Sequence, residues 1–438
     1  MQKGEIQLTR IEILLFSLKG ESTLCVESKD GNIDTFAYEL FTKFDHIIDE
    51  KNHSIILNGI QENNTKTKLS IAEIINKYSQ KMPQINKLNT FLNKLDENEK
   101  FCTIVLSRKL TQEEYYKLGC KLMSLNMPDF DIAKHLQQSN ELFKNIWDNY
   151  NLISTNVEKK NRIGESDKKK RVCRFCGKSL STGATFKNEA HAISEALGNK
   201  TVIFNEECDI CNSYFNQTIE RDFITYLNIF RTFFGILNKS NKIPSVVGKN
   251  FEYQNLGNRN TILKLFSDDT EVNDTKPPEN IPLIFNDKIT AQNIYKTLVK
   301  YSLSIIEKIE ENRFNKTIEW IRNPIFKDRL PKIAVLSSYV FFKEHPSLMV
   351  YLRKSENNKL PYAIGEFHFT FMTFVFIIPT FDDEEPDFSI QENYDIFWHT
   401  FKHYDMSKEF QFQEFSDPID RNVQFIMSFK QSDKLNFC

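Results

Sequence analysis

The sequence predicts an α+β fold divided into several domains, and three observations carry that expectation. At 438 residues the chain is longer than one hydrophobic core normally organises, so two or three domains are expected. Strand-like runs of β-branched and aromatic residues recur among stretches of helical periodicity. Near the centre, two C-x-x-C pairs, Cys173/Cys176 and Cys208/Cys211, interrupt this pattern with a different chemistry.

In chain order, RIEILLFSLKG and ESTLCVES read as two strands joined by a Lys-Gly-Glu turn, and KFCTIVLSRKL as a third. Thr111-Gln112-Glu113-Glu114 has the pattern of a capping box. It opens a helix carrying Tyr115, Leu118, Leu122 and Leu125, and a second amphipathic period runs from Asp131 to Tyr150. Residues 1–155 are therefore expected to form an N-terminal α+β domain with a recognition, dimerisation or sensor role. The stretch KKNRIGESDKKKR, within an expected linker at 156–171, holds seven Lys or Arg against two acids and no apolar run. It reads either as a solvated charge run or as a phosphate-contacting arm, with Lys168, Lys169, Lys170 and Arg171 as the candidate nucleic-acid contacts.

Helical periodicity continues from Asn212 through Phe234 and again over 290–322. After that come the strand-rich runs IAVLSSYVFF, PSLMVYLRK and FHFTFMTFVFIIP. The last is aromatic enough to be expected at the centre of a sheet rather than as a base-stacking platform. DDEEPD at 382–387 reads as a solvated turn. A module at 172–235 and a C-terminal mixed helix and strand region at 236–438 complete the expected layout.

Bulk charge excludes a general polycation, because 57 Lys and Arg meet 59 Asp and Glu for a net charge of −2. Contact with nucleic acid must come from a local patch. No apolar run reaches the ~20 residues of a membrane span, and the N-terminus lacks a signal-peptide cleavage site, so a cytoplasmic location is expected. There, cysteines are free, metal-bound or catalytic rather than bridged. Cys25, Cys102, Cys120 and Cys438 are isolated, and the first three sit in apolar or periodic stretches suited to buried thiols.

The paired cysteines differ. Two C-x-x-C knuckles separated by 31 residues supply four thiolates, a closed tetrahedral set for Zn²⁺, with Gly177 placed where such a knuckle turns. A zinc ion so enclosed is structural. Within the insert, ATFKNEAH reads as a strand ending at His191, SEALG as a helical turn closed by Gly198, TVIF as a second strand, and Cys211-Asn212 as the opening of a helix. His46, His53, His135 and His345 compete poorly with His191. His399 and His403, at i and i+4, are flanked by aromatics that favour packing over metal binding.

The run Ala190-His191-Ala192-Ile193-Ser194-Glu195-Ala196-Leu197-Gly198-Asn199, followed by Cys208-Asp209-Ile210-Cys211-Asn212, resembles the HNH endonuclease superfamily (ββα-metal nucleases), in particular its four-cysteine branch, over about 50 residues. The resemblance implies a zinc-stapled ββα-metal module that hydrolyses phosphodiester bonds. By that likeness His191 is the general base, and Asn212 is a ligand to a catalytic Mg²⁺ or Mn²⁺. Asn205 is the middle Asn that orients the base-bearing loop, with Asn199 the alternative. Asn216, one turn beyond Asn212, adds a second ligand. Where the family often carries an acid or histidine immediately before the base, this chain has Ala190. Glu189 is the expected substitute ligand, sharing His191's face on a strand.

The resemblance further implies DNA as substrate, with RNA as the alternative, and a prokaryotic anti-phage or restriction role. Two other readings stay open. One is a non-cleaving zinc-dependent nucleic-acid-binding module. The other is a nuclease subunit, homo-oligomeric or switched on by a partner such as an ATPase or sensor.

Overall fold

The structure, a computed structural model, describes residues 10–27, 33–44, 47–49, 54–56, 59–106, 108, 110, 112–127, 129–155, 160–238, 240–257, 260–266, 280–306, 313–338, 342–405 and 409–428. His46, His53, Thr111, Lys159 and Cys438 lie outside these residues. Two compact units divide the chain, Met1–Trp147 and Asp148–Cys438.

The first unit contains β1 (Arg10–Ser17), β2 (Gly20–Glu27), α1 (Asp34–Lys43), β3 (Ile47–Asp49), β4 (Ser54–Ile56), β5 (Ile60–Glu62), α2 (Thr65–Tyr78), α3 (Asn86–Leu92), β6 (Lys100–Val105) and α4 (Gln112–Asn126). It also holds α5 (Ile132–Asn149) as far as Trp147. β1 and β2 form the expected hairpin, and the antiparallel sheet runs β2-β1-β6-β5. Alternate β1 residues Ile11, Ile13 and Leu15 enter a core with Phe36, Leu40, Ile74 and Phe91 from α1–α3.

The second unit contains β7 (Tyr150–Ser154), β8 (Asn161–Ile163), β9 (Val202–Phe204), α6 (Asp209–Gln217), α7 (Ile219–Phe233), β10 (Val246–Val247), β11 (Phe251–Gly257), β12 (Asn260–Leu265), β13 (Asn280–Thr290) and α8 (Ala291–Ile305). It continues through α9 (Asn315–Arg322), β14 (Ile333–Ser337), β15 (Lys343–Arg353), β16 (Ala363–Thr370), β17 (Met372–Ile377), α10 (Gln391–Thr400), α11 (Lys402–Asp405), β18 (Gln411–Gln413) and β19 (Asp420–Ser428). Its largest sheet is six-stranded and antiparallel, in the order β18-β14-β17-β16-β15-β7.

The aromatic run FHFTFMTFVFIIP occupies the middle of this sheet, as its composition predicts. It does so as two strands, β16 and β17, because the chain reverses at Phe371 beside Thr370, whose φ is +53°. Every residue of both strands is buried. On one face Phe223 of α7 packs on Phe367 and Phe374 at ring separations of 5.6 and 5.9 Å. On the other, Phe401 meets Tyr351 at 5.3 Å, and the ring of His403 packs beside Phe401 and Tyr404. The 382–387 turn is only partly solvated. Asp383 is exposed, whereas the Glu385 carboxylate accepts the Tyr362 amide (2.9 Å) and the Thr380 hydroxyl (2.6 Å).

One core runs from the cysteine-bearing segment into this sheet, joining Cys173, Phe175, Phe215, Phe223, Tyr301 and Phe367. Two polar devices lock it. In α8 the otherwise apolar run LVKYSL carries Lys300, whose ammonium lies 2.9 Å from both Glu207 and Glu220, with no solvent exposure at Lys300 or Glu207. These are close, buried ion pairs. Burial pushes the Glu207 carboxyl up to about 7, as expected where two acids share one cation. The second device is Arg174. Its guanidinium donates to the carbonyls of Leu303 and Ile306 at the α8 C-terminus and to the Glu206 carboxylate. Orphan carbonyls at a helix end are thereby satisfied by a cation that the helix dipole also favours.

Removing the Lys300 charge while keeping its bulk leaves two buried carboxylates without a cation. Lys300→Met is expected to lower unfolding stability by about 3–5 kcal/mol, read from urea denaturation. The triple change Lys300→Met, Glu207→Gln, Glu220→Gln is expected to recover part of the loss.

Candidate active site

The site is built around the cysteine set. Cys173, Cys176, Cys208 and Cys211 place their sulfurs within 4.8 Å of one another, and Cys176 Sγ lies 3.7 Å from Cys208 Sγ. A tetrahedron with metal–sulfur arms of ~2.3 Å has edges of about 3.8 Å, so this spacing fits zinc. The knuckle closes through the Gly177 amide donating to Cys173 O (2.8 Å), with Gly177 at φ +68°, a conformation that favours glycine. The Cys208 amide donates to Cys173 Sγ at 3.4 Å.

The four thiols interact strongly with one another. A hydrogen bond from Cys211 holds Cys173 down at about 5, while burial pushes Cys208 up to about 11, and the interaction with Cys173 pushes Cys211 higher still. A bound zinc ion would favour the thiolate form of all four.

His191 lies in the insert between the two knuckles. The expected first strand is reduced to a single bridge, His191 opposite Ile203, flanked by Phe204 N–H to Ala190 O (2.8 Å) and Ala192 N–H to Val202 O (3.0 Å). The second strand is β9 and the helix is α6, so the order strand, strand, helix holds in contracted form. Between them Glu195–Leu197 makes the short helical turn, closed by Gly198 at φ +90°.

Asn199 fastens this connection. Its side-chain nitrogen donates to Ile193 O (2.7 Å) and Val202 O (3.1 Å), and its oxygen accepts the amides of Thr201 (3.2 Å) and Val202 (3.0 Å). The loop-orienting hydrogen bonds expected of Asn205 are thus made by Asn199. Asn205 is buried at 3% exposure, and neither its amide oxygen nor its nitrogen has a hydrogen-bond partner among the described residues. Chain spacing offers both asparagines. Only Asn199 stands inside the turn it must hold.

A residue not singled out from the sequence holds the other side of the loop. Asp209, in the first turn of α6, accepts the Thr185 hydroxyl (2.5 Å) and the amides of Lys187 (3.0 Å) and Asn188 (2.9 Å). Burial raises its carboxyl, but these three donors outweigh that and leave it below the ordinary aspartate value. An acid between the two cysteines of the second knuckle, at a helix N-terminus, is the signal that could have found it.

An open polar cleft of about 890 Å³ is lined by His191, Glu189, Asn212 and Asn216, together with Asp209 and Glu195. Asn212 and Asn216 share one face of α6, and Asn216 Nδ2 donates to Asn212 O (2.9 Å). Glu189 is bound by two cations, Arg162 and Lys160, the latter at 3.1 Å, and its carboxyl is held down chiefly by Arg162 and then Lys160. Ala190 does not line this cleft. It is buried and lines a second, smaller pocket that shares Asn188 and Glu189 with the cleft. Of the basic stretch, Lys168, Lys169 and Lys170 are exposed, whereas Arg171 is buried, its guanidinium donating to Glu165 O (2.9 Å) and Ser166 O (3.1 Å). A free phosphate-contacting role does not suit Arg171, because its donors already satisfy backbone carbonyls.

Comparison with known proteins agrees with this geometry. The HNH endonuclease family model matches residues 173–228, which span both knuckles, His191 and α6. No curated protein and no solved structure matches the chain. No helix among the described residues is long and apolar enough to cross a membrane.

Two outcomes follow from the local bonding. Cys208→Ser is expected to lose bound zinc, read by metal analysis, and to expose amides of residues 173–211 to hydrogen exchange. Asn199→Ala strands buried amides and carbonyls of the turn. It is expected to cost about 1–3 kcal/mol, measured by chemical denaturation.

Proposed function

With residues 173–228 identified as an HNH endonuclease module fitted to a structural zinc, we propose that this protein is a metal-dependent DNA endonuclease with His191 as its general base. The observation that carries the reading is one cleft lined by both His191 and Asn212 of α6, whose chain neighbour Cys211 belongs to the four-cysteine set. A neutral imidazole near physiological pH is suited to take a proton from water attacking a phosphodiester.

Asn212, with Asn216 and Glu189, offers the oxygen donors for Mg²⁺ or Mn²⁺ in that cleft. Such a cation would polarise the scissile phosphate and stabilise the leaving oxygen. Asn199 and Asp209 act as positioning residues, since one clamps the turn after His191 and the other the loop before it. Exposed Lys168, Lys169 and Lys170 supply local positive charge that the molecule as a whole lacks. We place the protein in the cytoplasm, in a prokaryotic anti-phage or restriction role, where an oligomer or a partner protein controls cutting.

One observation favours a second reading, a zinc-dependent nucleic-acid-binding module that does not cut. Glu189, the expected replacement for the ligand missing at Ala190, is already engaged by Arg162 and Lys160. Incubation of supercoiled plasmid with Mg²⁺ or Mn²⁺ separates the two. Wild type is expected to nick or linearise it, and His191→Ala is expected to lower the rate about 10²–10⁴-fold with zinc content unchanged. Binding without cutting under either metal would overturn the nuclease reading.

A further inference from the structure

Past the residues that match the HNH family, the chain leaves α7 through a basic, turn-rich segment. Residues 223–251 hold no Asp or Glu, the longest such run in the sequence, and carry Arg231, Lys239, Lys242 and Lys249. Lys242 and Lys249 are exposed, Arg231 is buried, and Lys239 lies outside the described residues. In a chain of 57 basic and 59 acidic residues, cations gathered where acids are missing form a local patch that a polyanion can use.

The segment is tied to the turn that follows His191. Gly198, which closes that turn, packs so closely on Ile236 that a Cβ would come within 3.2 Å of its side chain. Two residues after Gly198, Lys200 Nζ donates to Asn241 Oδ1 at 2.6 Å. Asn241 belongs to a closed turn at 238–242 and adopts a φ of +54°. There the Asn238 amide donates to Lys242 O (2.9 Å), and Asn238 Oδ1 accepts the amides of Ser240 (2.9 Å) and Lys242 (3.1 Å). Both Lys200 and Asn241 line the cleft that holds His191 and Asn212.

Lys200 is the single Lys or Arg among the residues lining that cleft, against Glu189, Glu195 and Asp209. Its ammonium spends one donor on Asn241 and has three in all, so phosphate oxygens can take the others. The hydrogen-bonded turn sets Lys242 immediately after Asn241 on the same rim. We propose that this segment is a DNA-backbone contact of the His191 cleft, with Lys200 and Lys242 neutralising phosphates that neighbour the one being cut. The contact rests on the nuclease reading for its place beside a cut bond. Its affinity for DNA is measured without cutting.

The test uses the full-length, zinc-loaded protein and a fluorescein-labelled DNA duplex. Anisotropy titrations without added Mg²⁺ or Mn²⁺, repeated over a series of KCl concentrations, give the slope of log K against log salt. Lys200→Gln and Lys242→Gln are each expected to reduce that slope by about 0.9, and the double variant by about 1.8, one phosphate for each lysine. Lys200→Arg keeps the charge and is expected to keep the wild-type slope. Lys359→Gln removes an equal charge from the exposed turn between β15 and β16. That turn lies at the end of β16 opposite Phe371, which packs on Phe234 after α7 at 5.5 Å. Lys359→Gln is expected to leave the slope unchanged.

No binding by wild type, unchanged slopes in Lys200→Gln and Lys242→Gln, or an equal loss in Lys359→Gln overturns the contact. Zinc content and urea midpoint are read for each variant. Should Lys200→Gln not fold, Lys242→Gln decides alone. Plasmid cutting with Mg²⁺ or Mn²⁺ is scored separately. Cutting with unchanged slopes overturns the contact and leaves the nuclease reading standing. Lowered slopes without cutting by wild type overturn the nuclease reading and leave the segment as the contact of a module that only binds.

Discussion

Four sulfurs from two distant turns must meet around one centre, and much of the second unit follows from that constraint. Bringing Cys173 and Cys176 to Cys208 and Cys211 closes the chain on itself, so the insert between them has to leave and return within a short span. The return is made by a bridge at His191, the turn closed by Gly198, and β9, which delivers the chain to the second knuckle at the start of α6. Because the cysteine set is a closed structural centre, its contribution to chemistry is positional. It fixes the start of α6, the helix bearing Asn212, and the return of the chain through the bridge at His191.

The residues beside the cysteines extend that order into the rest of the unit. Arg174, inside the first knuckle, ties to the exposed carbonyls at the end of α8 and to Glu206, and lies 4.5 Å from the Phe204 ring centroid. Glu207, immediately before Cys208, meets Lys300 from the same helix, and Glu220 from α7 completes the group. A thiolate–zinc centre is electronegative overall, and two buried cations near it are an electrostatically sensible arrangement. Such groups contribute less to net stability than to specificity, since an unpaired member would be costly in any alternative packing. They bind the cysteine-bearing segment to the sheet-covering helices as one core.

The segment at 188–191 borders two spaces. His191 and Glu189 look to the open cleft, and Ala190 to the smaller pocket that Asn205 also lines. Glu189, common to both spaces, is held by cations from the stretch that begins at Lys160.

By itself the sequence determined the chemistry that depends on spacing along the chain. The two C-x-x-C pairs predict a four-sulfur cluster because a tight turn presents both thiols inward. Gly177 and Gly198 predict left-handed turns, and the apolar periods predict the helices around Asn212–Phe234 and 290–322. The aromatic run after Phe367 predicts a buried central position. Tertiary structure decided what depends on direction through space. Asn199 and Asn205 are alike in type and both follow His191 closely in the chain, and only the fold shows that one clamps the turn while the other is buried with its side-chain amide unpartnered among the described residues. Arg171 belongs to a run of cations, yet alone among Lys168–Arg171 it turns inward to backbone carbonyls. Lys300 sits in an apolar helix whose partners, Glu207 and Glu220, lie about 80 to 90 residues earlier in the sequence. Hydrogen bonds and buried ion pairs are satisfied by whichever group the packing brings within reach, and no local pattern encodes that reach.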